Sequence, residues 1–233
     1  MELIRVRPEL TVIPLAFGTA YLWRDEDGSL TLVDTGIAGQ ADAIEEAVRA
    51  VGADPAALRG IVLTHHHEDH TGSAAELARR HGAEVTAHRL EAPVVRGEQP
   101  PEPFTLSPFE QELWDALPAL PPAPPCRVDR EVTDGEVLGF GGGAVVVHVP
   151  GHTDGSIALH LPRAGVLFTG DLAANVGHRT MPGVFNTDPA LALESFRRLA
   201  ALDAETVLFG HGEPLAEGGS AVLRRAAEQL GEH

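Results

Sequence analysis

Seven consecutive residues, Thr64-His65-His66-His67-Glu68-Asp69-His70, constrain this chain more than any other stretch. They directly follow the apolar run Ile61-Val62-Leu63, which reads as a short buried strand. They precede the segment Gly72 to His81, which reads as a helix stopped by Gly82. The cluster therefore sits at a strand exit, where side chains leave a rigid edge. Clustered cationic imidazoles repel one another, whereas a divalent cation turns them into neutral ligands. The bland alternative is a low-complexity surface tract. An apolar strand feeding the cluster argues against it, and so do further ligand-capable residues downstream.

Those residues lie after later β-type runs. Gly151-His152 follows Ala144 to Val149, Gly170-Asp171 follows Val166 to Thr169, and Gly210-His211 follows Thr206 to Phe209. In each case glycine lets the backbone turn tightly, so that the next side chain can point at a shared centre. Any one of these is most simply a turn; all three beside the histidine cluster point to a site.

The rest of the chain supplies a frame. Leu10 to Leu15, Ala20 to Arg24 and Leu30 to Asp34 read as an antiparallel meander, and Gln40 to Val51 as an amphipathic helix stopped by Gly52. Val85 to His88 is strand-like. Between Arg89 and Arg130 lie ten of the eighteen prolines, a density that breaks helices and central strands. This stretch, residues 89–130, reads as an insertion or connector with room for a short helix at Pro108 to Leu117, and a loop so long is often a lid. Strands return at Glu131-Val132, Val137-Leu138, Ala144 to Val149, Ile157 to Leu161 and Val166 to Thr169. A helix capped by Asp188, with Pro189 at its first position, runs to about Leu202, and Ser220 to Leu230 is a last helix. Two strand-plus-helix halves suggest an α+β fold, a four-layer αββα sandwich, over a single domain of residues 1–233.

Composition removes several functions. The formal charge of −17 disfavours nucleic acid and a basic membrane face. The sequence contains no lysine, so Schiff-base chemistry and a P-loop lysine are excluded. The single cysteine, Cys126, forms no internal disulfide and reads as structural. The N-terminus lacks the apolar core of a signal peptide, and no window is long enough for a membrane span, so a cytoplasmic protein is expected.

His65-x-His67-x-Asp69-His70, with Asp34 upstream and His152, Asp171 and His211 downstream, resembles the metallo-β-lactamase superfamily. The motifs appear in the family's order and span most of the chain. The resemblance implies the αββα sandwich. It also implies two divalent metal ions, with His65, His67 and His152 on the first, Asp69, His70 and His211 on the second, and Asp171 bridging them. Asp34 would hold the ligands by hydrogen bonds. Five imidazoles and two carboxylates suit zinc, iron or manganese better than magnesium or calcium. Two such ions can share a hydroxide and bring its pKa to about 7.

The expected function is therefore a metal-dependent hydrolase. A metal-bridging hydroxide, oriented by Asp69 and Asp171, would attack an ester, thioester or lactone- or lactam-type bond of a small molecule. The branch it resembles is that of glyoxalase II. Typical members carry a C-terminal helical domain that grips glutathione, for which the 22 residues after His211 are too few. The alternatives are a mononuclear iron persulfide dioxygenase and a metal-binding protein without catalysis. His178 and Arg179 are candidate substrate contacts in an irregular stretch. His66 is expected to point away from the ligands, and His81, His88, His148, His160 and His233 to be ordinary. Tyr21 and Trp23 are expected in the core. The protein is expected to be a monomer or homodimer.

Overall fold

The structure, a computed structural model, describes residues 2–230. Met1 and Gly231 to His233 lie outside the described residues, and so does the reading of His233. The chain divides into two compact units, one of Met1–Pro100 and Leu120–Val132, the other of Pro101–Ala119 and Thr133–His233.

The first unit is built on a seven-stranded sheet. Its strands are β1 (Ile4–Arg7), β2 (Leu10–Pro14), β3 (Thr19–Arg24), β4 (Leu30–Val33), β5 (Leu58–Val62), β6 (Glu84–His88) and β7 (Arg130–Val132), paired in that order. β2 to β4 form the expected antiparallel meander, β1 adds a strand that the sequence did not show, and β4 to β7 run parallel. Between them lie α1 (Ala41–Ala50), the short α2 (Glu68–Thr71), α3 (Ala74–His81) and α4 (Ala92–Val95). Ala41, Ile44, Ala47 and Val48 of α1 and Leu77 and Ala78 of α3 are buried with the inward residues of β4, β5 and β6. That burial follows the three-and-four spacing of apolar residues along each helix. Gly82 ends α3 in the left-handed conformation, as its position after the last periodic residue suggests.

The second unit holds α5 (Pro108–Ala116) and a five-stranded sheet of β8 (Val137–Leu138), β9 (Ala144–His148), β10 (Ile157–Leu161), β11 (Val166–Phe168) and β14 (Thr206–Leu208), in the order β14-β11-β10-β9-β8. A separate hairpin joins β12 (Ala173–Val176) to β13 (Arg179–Pro182). Helices α6 (Pro189–Ala200) and α7 (Gly219–Gln229) complete it. The Asp188 carboxylate caps α6 by accepting the Leu191 N–H, and Phe196 and Leu199 are fully buried, as expected.

Two sequence readings need correction. Glu131-Val132 does not open the second half: β7 pairs in parallel with β6 and closes the first sheet. The stretch after Asp171, read as irregular, forms the hairpin β12–β13. Its turn residues Gly177 and His178 are both left-handed, a geometry that suits a tight hairpin. The proline-rich stretch contributes to both units: residues 101–119 belong to the second and 120–132 to the first. Its helix α5 opens on a Ser107–Glu110 capping box, and Trp114 meets both Phe104 and Phe185 edge-on, with centroids 4.9 and 5.3 Å away, while Phe104 and Phe185 are tilted at 6.1 Å. Tyr21 and Trp23 are buried as expected, and no described helix is long and apolar enough to cross a membrane.

One ion network ties α1 to α3. Burial works against a charged Glu45, yet hydrogen bonds from Arg80, Arg49 and His81 outweigh it and hold its pKa down at about 2. A depressed carboxylate pKa contributes stability that is complete above the ordinary value near 4.5 and is lost as pH falls through about 2. Glu45→Gln should cost about 2 kcal/mol at pH 7, as expected for bonds to a charged group. It should also flatten the loss of stability between pH 4.5 and 2. Urea unfolding across that range checks both, and an unchanged acid slope would contradict the assignment.

Candidate metal centre

In the first unit the donor-bearing residues follow the parallel strands. Val33 of β4 is in register with Val62 of β5, Asp34 comes next in sequence, and His65 lies just beyond Val62. At this end the sheet's ladder runs out, and side chains take over its bonding. Asp34 is left-handed at φ 59°, a conformation aspartate tolerates better than most residues, and it is buried. Its Oδ1 accepts the Thr64 N–H at 2.8 Å, and its Oδ2 accepts the Thr64 hydroxyl at 2.8 Å. The same Oδ2 lies 2.9 Å from His70 Nδ1.

These bonds fix two imidazoles. A carboxylate only accepts, so His70 donates from Nδ1, which leaves the lone pair of the neutral ring on Nε2. Thr64 gives its single hydroxyl proton to Asp34, so its oxygen accepts from His65 Nδ1 at 3.0 Å, and His65 likewise keeps an Nε2 lone pair. The ring of His65 lies 4.5 Å from that of His67 and 4.1 Å from that of His70, centroid to centroid. The Asp69 carboxylate is 3.7 Å from His70 Nε2. The carbonyl of His70 accepts both the N–H and the hydroxyl of Thr35, which pins its backbone. Gly18 approaches the Asp69 carbonyl so closely that a Cβ there would collide with it.

The second unit repeats this device. Phe168 of β11 and Leu208 of β14 are in parallel register, and Asp171 and His211 each stand three residues further on. Strand β9 runs parallel to β11 because both are antiparallel to β10, so His152, after β9, leaves at the same end. The Asp171 Oδ2 lies 3.1 Å from His211 Nε2 and 3.7 Å from His152 Nε2. His152 is buried in a loop closed by Thr153 and Ser156, whose hydroxyls are 2.7 Å apart, while His211 is 42% exposed at its side chain.

Two positioning residues escaped the sequence reading. Thr64 relays between Asp34 and His65, as described. Asn175, buried in β12, donates its Nδ2–H to the Glu213 carbonyl at 2.8 Å, and its own carbonyl accepts the Glu213 N–H at 2.8 Å. It thus clamps the turn that carries His211. Gly212 is left-handed there, and a Cβ would strike the Asn175 carbonyl. The signal available was rarity, since Asn175 is one of two asparagines in the chain.

The remaining predicted residues are placed as follows. His178 and Arg179 are exposed at the tip of the β12–β13 hairpin. His81 bonds Glu45, while His148 and His160 bond the Asp154 and Asp203 carbonyls. Cys126 is buried, and burial pushes its thiol up to about 11, which suits a structural residue and not a nucleophile.

Both donor sets are rich in imidazole with a carboxylate nearby, in the first set the Nδ1 atoms of His65 and His70 are tied by hydrogen bonds, and this chemistry fits a divalent cation. Comparison with known proteins agrees. Over 208 residues the chain is 34% identical to a hydroxyacylglutathione hydrolase of Fuscovulum blasticum, covering 85% of this chain and 64% of that protein's length. It is 30% identical to the Probable metallo-hydrolase YflN of Bacillus subtilis (strain 168), covering 82% of this chain and 78% of that one. It is similar to the structure of TTHA1623 in a di-iron-bound form, with a TM-score of 0.67, 26% identity and coverage of 92% and 96% of the two chains. The fold is the α+β fold of these proteins. Residues 13–211 match the metallo-beta-lactamase superfamily, and the chain belongs to that superfamily.

Proposed function

We propose that this protein is a hydrolase that uses two divalent cations to cleave an ester, thioester or lactone- or lactam-type bond in a small molecule. His65, His67 and His152 would hold one cation, and Asp69, His70 and His211 the other, with Asp171 bridging. On this reading both units work as one domain, and zinc suits the donors best, with iron and manganese the next candidates. The observation that carries the reading is the pair of preset imidazoles, His65 and His70, whose Nδ1 atoms are tied to Thr64 and Asp34. Fixing Nδ1 in this way is how metal-binding histidines are oriented and made more basic. The di-iron form of TTHA1623 and the hydrolase names of the relatives support it.

When bound, the two cations would lower the pKa of a water to near neutrality and polarise the scissile carbonyl. The protein's own side chains do the rest. Asp69 and Asp171 orient the attacking water through their carboxylate oxygens, and Asp34 keeps His70 from turning. No lysine, thiolate or serine elbow is needed, in agreement with the composition. The rigid ends of two sets of strands keep the donors in place as charge develops, which limits the reorganisation that the reaction requires.

The test is elemental analysis of anaerobically purified protein, followed by ester, thioester and lactone substrates. Two metals per chain, and hydrolysis abolished by a chelator and restored by zinc, are expected. One iron per chain with oxygen uptake on a persulfide would overturn the reading in favour of a dioxygenase. Asp171→Ala should reduce turnover about a hundred- to a thousandfold, the typical cost of removing a catalytic electrostatic group, and should leave one metal per chain. Asp34→Ala should weaken metal binding about 10- to 100-fold while retaining both metals at saturation. Competition with a chromophoric chelator measures that change.

A further inference from the structure

His66 stands between two proposed ligands, yet it faces elsewhere. Its backbone N–H donates to Glu91 Oε2 at 2.7 Å, and its Nδ1 lies 2.7 Å from the same oxygen. The carbonyl of His66 accepts the Thr71 hydroxyl at 3.2 Å. Its backbone is therefore held at both ends. Glu91 is 1% exposed, and a buried carboxylate is costly unless strong hydrogen bonds compensate it.

The position of Glu91 is informative. Strand β5 lies between β4 and β6, all three parallel, and the histidine-rich turn leaves β5 where the ladder ends. The Leu63 N–H still bonds to the Thr86 carbonyl of β6. Beyond it, the Thr64 N–H goes to Asp34, which follows β4, and the His66 N–H goes to Glu91, which follows β6. The turn is thus gripped from both neighbouring strands by carboxylates that replace the missing strand partners. Asp34 holds the β4 side. On the β6 side, the Leu63 bond to Thr86 is followed by the grip of Glu91.

We propose that Glu91 is a positioning residue for the metal centre: by binding both the backbone N–H and the ring of His66, it presets the flanking His65 and His67 before any cation arrives. The inference rests on the two-cation reading above. Glu91 touches no reacting atom, and it acts by limiting the conformations that the turn must give up on metal binding.

The experiment compares wild type, Glu91→Gln and Glu91→Ala as full-length protein. Zinc affinity is read by chelator competition, the visible spectrum of the cobalt-substituted protein reports ligand geometry, and the thermal midpoint is taken without metal. Glutamine keeps an acceptor for the His66 N–H but has no charge, so Glu91→Gln should weaken zinc about tenfold with little change in the metal-free midpoint. Glu91→Ala should weaken it about 100-fold, the upper range for groups that orient ligands, and should alter the cobalt spectrum. If Glu91→Ala does not fold, Glu91→Gln carries the test. Wild-type zinc affinity and cobalt spectra in the folded variants, with or without a lower midpoint, would overturn the proposal and leave the two-cation reading standing. Wild-type protein that binds no zinc would overturn both.

Discussion

The carboxylate of Asp34 is the constraint on which the first donor set depends. It is buried, it sits in a left-handed backbone conformation, and it is bonded by a backbone N–H, a hydroxyl and an imidazole. A non-glycine residue in that conformation costs about 1 kcal/mol or more. The cost is offset because the same carboxylate bonds the backbone and hydroxyl of Thr64 and the ring of His70. Through the Thr64 hydroxyl its influence reaches His65. One side chain thus ties the Nδ1 atoms of two imidazoles, so that in the neutral rings the lone pairs lie on Nε2.

Strand direction explains why donors far apart in sequence leave each sheet at one end. In the first unit Asp34, the histidine-rich turn and Glu91 follow β4, β5 and β6, which are parallel neighbours. In the second, Asp171 and His211 follow the parallel strands β11 and β14, and His152 follows β9 with the same direction. The carboxyl ends of parallel strands commonly carry binding sites, because loops there are anchored on a rigid sheet. Glycine adds the tight approach of backbone segments, as at Gly212 against Asn175.

Much of this was legible in the sequence for local reasons. A strand that ends in a ligand, a helix that opens on Asp188-Pro189 and a helix that stops at Gly82 are each encoded within a few residues. What escaped depends on partners far away. Strand β7 is three residues long, and its place beside β6 is set by pairing across about forty residues, not by any pattern of its own. Strand β1 is half exposed and alternates charged with apolar residues, as an edge strand does, which makes it look like a charged terminus. The hairpin β12–β13 has few alternating apolar residues because both strands are short and partly exposed. Glu91 and Asn175 act through hydrogen bonds to residues 25 and 38 positions away, and such bonds leave no periodic trace. The histidine cluster marked the proposed ligands, but not the carboxylate and amide groups that hold them.

The decisive experiment is a crystal structure of the zinc-loaded protein with anomalous scattering at the zinc edge. Two anomalous peaks are expected, one within coordination distance of His65, His67 and His152 and the other of Asp69, His70 and His211, with Asp171 touching both. Peaks confined to other residues, or none at these side chains at saturating zinc, would contradict the two-cation reading.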